Sequence, residues 1–108
     1  MKSAIYVLLC NGQVDQIVET PKSALREYND LSQIDVHGLL CIRIEGGAKQ
    51  VWTVANEIDE HLRWHNAFGR KAIARLGLKY PGCKLTIVGP MALRTEIHNQ
   101  ICQGADHD

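Results

Sequence analysis

A chain of 108 residues, 45% hydrophobic and carrying 12 basic and 12 acidic side chains, is long enough to bury one core without disulfides or metal. Its composition is too apolar and too evenly charged for an intrinsically disordered polymer, and no low-complexity tract or internal repeat interrupts it. No apolar run approaches the roughly 18 residues that cross a bilayer.

Residues 1–104 read as a single α+β (or α/β) domain and 105–108 as a short disordered tail. The opening MKSAIYVLLCNG imitates a short signal sequence, but Leu8 and Leu9 stand before Cys10 where a cleavage site wants small residues. The run from Ser3 to Cys10 is instead rich in strand formers. Asn11-Gly12 is a two-residue turn signal, and Val14 and Val18 lie among polar neighbours, so residues 3–20 predict a β-hairpin. Thr20-Pro21 pairs a helix N-cap with a proline suited to the first helical position. Ala24, Leu25, Tyr28 and Leu31 then recur at helical spacing, giving a helix that ends near Ser32.

Residues 37–45 predict a third strand, with Leu40, Ile42 and Ile44 on one face. From Val51 to Leu76 the apolar residues keep one helical phase, which favours one long helix over about 48–78, although Gly46-Gly47 followed by Val51-Trp52-Thr53-Val54 leaves a strand open for residues 49–54, and a rod so long for a small domain is liable to break near Asn66 to Gly69. Tyr80-Pro81-Gly82 is a turn, Lys84 to Val88 a strand, and Ala92, Leu93, Ile97 and Ile101 mark a final helix. The expected fold is a small mixed sheet of about four strands in the order β-β-α-β-α(long)-β-α, with helices packed on it. A single helix between residues 38 and 88 would make a right-handed crossover joining parallel strands.

The charge is segregated although the total is zero. Residues 1–60 hold five basic and nine acidic side chains, residues 61–95 seven basic and none acidic, and residues 96–108 three acidic alone. On the long helix Arg63, Arg70, Lys71 and Arg75 fall away from the apolar arc, with Trp64 and Phe68 beside them and Lys79 just beyond. Cations that attract phosphate next to rings that stack on bases are the ingredients of a surface for nucleic acid or another anionic partner, such as an acidic protein patch. The plainer interpretation is that the rings extend the core stripe and the cations pair with acids of the first half.

Other chemistry is thinly represented. Glu57, His61 and His65 form a ladder at intervals of four, but Leu62 stands where a metalloprotease helix needs glutamate, and no metal is expected. Gly46-Gly47 and Gly89-Pro90 read as turns, since neither matches a phosphate-binding fingerprint. Cys10, Cys41, Cys83 and Cys102 occur singly, as reduced thiols do in a cytoplasmic protein. The sequence thus predicts a cytoplasmic, non-enzymatic binding or regulatory module that needs no cofactor and contacts no membrane. Two alternatives stand beside it. One is a small enzyme or ligand-binding protein with its pocket where parallel strands end, near Gly46 and Gly89, drawing on His37 or His98. The other is a structural subunit, or a homodimer, pairing through the long helix or an open sheet edge.

Overall fold

The computed structural model describes residues 2–65 and 68–106. In chain order the elements are β1 (Lys2–Cys10), β2 (Gln13–Val18), α1 (Pro21–Ser32), β3 (Leu40–Gly47), α2 (Ala48–Trp64), α3 (Arg70–Lys79), β4 (Lys84–Val88) and α4 (Pro90–Asp106). The four strands form one sheet in the order β2-β1-β3-β4. No helix among the described residues is long and apolar enough to cross a membrane.

Local chemistry explains the first half. Asn11 (φ 54°) and Gly12 (φ 76°) both take the left-handed conformation that a tight hairpin turn demands. Thr20 Oγ1 accepts the Ser23 N–H at 3.1 Å, and Pro21 opens α1. β3 starts later than its composition suggests because the chain before it is tied elsewhere. The Asn11 N–H donates to the His37 carbonyl at 2.7 Å, and Asn11 Oδ1 accepts the His37 N–H at 3.0 Å. Gly38 then turns out of the extended path at φ 65°.

The sheet is covered on both faces. Ile5, Val7, Leu9, Ile42 and Ile44 face Val51, Val54, Ala55, Ile58 and Leu62 of α2 and Ala72 and Leu76 of α3. Tyr6, Leu8, Cys10, Cys41 and Val88 pack with Ala24 and Leu31 of α1 and Leu93 of α4. β1 is therefore buried on both sides, and Ile5 to Cys10 form an unbroken apolar run rather than an alternating one. On the second face an ion pair reaches α4: Arg43 Nη1 meets Glu96 Oε1, and the Tyr6 hydroxyl donates to Glu96 Oε2 at 2.6 Å.

The architecture is α+β as expected, but two features differ from the sequence reading. Every strand pair is antiparallel, including β3 with β4, so the sheet is not mixed and the crossover is not a parallel one. The cause is the interruption of the long helix. One helical pass would return the chain to start β4 beside the start of β3. Two passes, α2 out and α3 back, return it to the end where β3 finished, and β4 must run the other way. An unbroken 31-residue rod would measure about 45 Å, well beyond strands of five to nine residues at about 3.3 Å each. Dividing it lets both apolar stripes lie on the sheet. α2 stops at His65, whose backbone is extended (φ −133°, ψ 139°), and α3 opens after Gly69, while residues 66 and 67 lie outside the described residues. Among the described residues, the helix expected to be one rod is thus the two shorter helices α2 and α3.

Candidate binding cleft

Where α2 and α3 diverge they enclose a cleft of about 390 Å³. Glu57, Glu60, His61 and Trp64 line it from α2, and Ala72, Arg75, Leu76 and Lys79 line it from α3. Each set follows the i, i+3, i+4, i+7 spacing that brings residues to one helix face. Phe68, Ala72 and Leu76 are buried and give an apolar floor. The His61 ring lies 4.6 Å from that of His65 and meets Phe68 edge-on at 5.4 Å.

The two aromatic residues expected to share a surface part company. Trp64 is 80% exposed at the rim, whereas Phe68 is 7% exposed. Of the anticipated site, Trp64, Phe68, Arg75 and Lys79 meet in the cleft. Arg63 lines a separate polar recess of about 580 Å³ with Asn11, Gln13, His37 and Asp59. Arg70 and Lys71 line neither recess; they project to solvent from the first turn of α3.

The acid-free stretch is partly neutralised by acids immediately before it. Lys79 Nζ donates to Glu57 Oε1 at 2.7 Å, and the Tyr80 hydroxyl donates to the same oxygen at 2.7 Å. Arg63 pairs with Asp59 at 3.2 Å on the α2 surface. Hydrogen bonding from Lys79, reinforced by Tyr80, lowers the Glu57 pKa below its usual range, against the opposing effect of burial. Arg70, Lys71 and Arg75 have no carboxylate within 4.0 Å among the described residues.

In the sequence Glu57 and His61 stand out only as rungs of a metal-type ladder, Ala72 and Leu76 only as part of the apolar stripe, and Glu60 not at all. The facing helical spacings could have revealed them had the break been placed first. Glu57 spends one carboxylate oxygen on Lys79 and Tyr80, and among the described residues no group of three or more His, Cys, Asp or Glu is arranged to hold a metal ion. A pocket shared by Gly46 and Gly89 is overturned by the antiparallel pairing of β3 with β4, which puts the two glycines at opposite ends of the sheet. Gly46 serves packing instead: a Cβ there would lie 2.8 Å from Cys83 Sγ. Burial raises the Cys83 pKa and pushes that of Cys41 up to about 12, so both are kept as thiols rather than nucleophilic thiolates at neutral pH. No family model, curated protein or solved structure matches the chain.

Proposed function

We propose that the protein is a non-enzymatic binding module that holds an anionic partner, a nucleic acid strand in the first instance, on the exposed side of α3. One observation carries the reading: Arg70, Lys71 and Arg75 lack carboxylate partners among the described residues, while the exposed Trp64 shares the cleft with Arg75. Unpaired guanidinium and ammonium groups release counterions when they meet phosphates, and an exposed indole offers a face to a base. Lys71, Arg75 and the 85% exposed Leu78 fall on one side of α3, so contact there would combine charge with apolar area. The surface steers and holds; nothing in it reads sequence. Three described cysteines that are buried and free support a reducing, cytoplasmic setting.

The test is a titration of Trp64 emission in a Trp52→Phe background with single-stranded DNA and RNA at low and moderate salt. Saturable binding that weakens with salt and is lost in Lys71→Glu/Arg75→Glu supports the reading. No change at either salt removes nucleic acid and leaves an acidic protein surface as the anionic partner. A homodimer formed through α3 would cover Leu78 and compete for the same face, so two protein concentrations are compared.

A further inference from the structure

The surface just described uses the outside of α3 and the rim of the cleft, and leaves the space beneath Trp64 unassigned. That space has a definite chemical character. At about 390 Å³ it lies within the range of small-ligand sites. Its floor is apolar and its rim carries an exposed indole. Its formal charges cancel, with Glu57 and Glu60 against Arg75 and Lys79, so it is not a simple anion trap. It suits a group that is planar, bears a hydrogen-bond donor at one end and carries its negative charge at the other.

The polar end supplies the donor's partner. Glu57 Oε1 already takes both Lys79 Nζ and the Tyr80 hydroxyl, whereas Oε2 accepts no hydrogen bond among the described residues. Glu57 and Trp64 are seven residues apart on α2, about 10 Å along the axis, a span that a nucleoside covers. Arg75, which has no carboxylate within 4.0 Å among the described residues, lines the cleft from the opposite helix.

We infer that the α2–α3 cleft receives one nucleotide with an amino-bearing base, which lies on the apolar floor with its exocyclic amine on Glu57 Oε2, runs toward the Trp64 indole and sets its phosphate against Arg75. This rests on the proposed anionic-partner reading and deepens it, because a strand held on α3 would deliver a single unstacked base to the cleft. The lowered Glu57 pKa keeps that carboxylate an acceptor at neutral pH. Uracil and thymine present carbonyl oxygens where adenine and cytosine present the amine, and an ionised carboxylate disfavours them.

The test uses the full chain with Trp52→Phe and reads Trp64 emission against AMP, UMP, oligo-A and oligo-U. AMP is expected to saturate the signal, with UMP at least about fivefold weaker, and Glu57→Gln is expected to erase that preference. Ala72→Leu narrows the cleft without changing its charge and should abolish AMP binding while α3 still captures oligonucleotides in a salt-dependent way. If Ala72→Leu does not fold, judged by circular dichroism, Trp64→Ala replaces it, with AMP binding followed by equilibrium dialysis and expected to weaken at least about fivefold. Equal, salt-sensitive binding of oligo-A and oligo-U with no response to AMP would overturn the cleft inference and leave the α3 surface standing. AMP binding without strand binding would keep the cleft, with the free nucleotide as its source, and remove the surface. No response to any of the four would overturn both.

Discussion

Lys79 and Glu57, 22 residues apart in the chain, meet at 2.7 Å and close one end of the cleft between two helices that the sequence presents as one. The Tyr80 hydroxyl joins them on the same carboxylate oxygen, so one acid carries two donors. The pair is a direct side-chain link between α3 and α2 across the fold-back.

The pH dependence of stability follows from this cluster. Glu57 is shifted below its ordinary 4.5, so its stabilisation is complete above that value and fades as pH falls through the lower, folded one. Lys79 and Tyr80 are raised above 10.5 and 10.0, principally by hydrogen bonding to Glu57, so their contributions hold below those values and fade as pH rises through the folded ones. Urea midpoints measured from pH 2.5 to 6 should fall less steeply on acidification in Glu57→Gln than in the parent. Identical acid slopes would show that the pair contributes nothing to stability.

On the other face of the sheet, Glu96 ties α4 to Tyr6 and Arg43. Tyr6→Phe removes one donor from a largely buried carboxylate and should cost about 1 kcal/mol. Glu96→Ala leaves the Arg43 guanidinium without its α4 partner and should cost about 2–3 kcal/mol, less than a fully buried pair because both side chains retain some exposure. Denaturant unfolding of both single variants and the double variant should give a non-additive cycle, since Tyr6 has no acceptor on Glu96 once that side chain is gone.

Gly46 is a position where size alone decides. A methyl group there would sit 2.8 Å from Cys83 Sγ and 3.0 Å from the Gly82 carbonyl oxygen. Gly46→Ala should therefore destabilise by about 1–3 kcal/mol. Adding Cys83→Ala relieves the sulfur but not the backbone oxygen, so thermal unfolding of the double variant should show partial rescue. A double variant less stable than the two losses summed would contradict the packing described.

Asn11 has two separable duties, the left-handed turn and the hydrogen bond to the His37 N–H. Asn11→Gly keeps the first and loses the second, whereas Asn11→Ala loses both. Chemical denaturation should rank Asn11→Ala below Asn11→Gly by about 1 kcal/mol, the usual penalty for forcing a Cβ into that conformation. Equal losses would mean that the turn itself imposes no strain.

The features legible in the sequence were those built from neighbours. The Asn11-Gly12 turn and the Thr20-Pro21 cap both depend on residues within four of one another, whereas the start of α2 after Gly47 has no side-chain cap to mark it and stayed open between helix and strand. The direction of β4 was not legible, because it depends on how many helical passes precede it. The apolar phase from Val51 to Leu76 stays coherent across the break, so periodicity alone conceals it. Trp64 and Phe68 follow the same logic: on one continuous rod they lie side by side, but the extended backbone at His65 leaves one at the rim and puts the other in the core. The Lys79–Glu57 contact is equally hidden, being a product of the fold-back rather than of helical spacing.

The two outer strands determine how the sheet meets a foreign strand. β2 carries an extra residue, since Leu8 pairs with Gln16 and Leu9 with Val14, leaving Asp15 out of register with a charge at the irregularity. β4 is only five residues long, begins with Lys84 and lies between Pro81 and Pro90. One border is bent and the other is short and bracketed by residues that donate no backbone hydrogen bond, so neither gives a growing fibril a straight template. Resistance to amyloid-type stacking thus resides in the outline of the sheet, and deleting Asp15 to regularise β2 is the change that would weaken it.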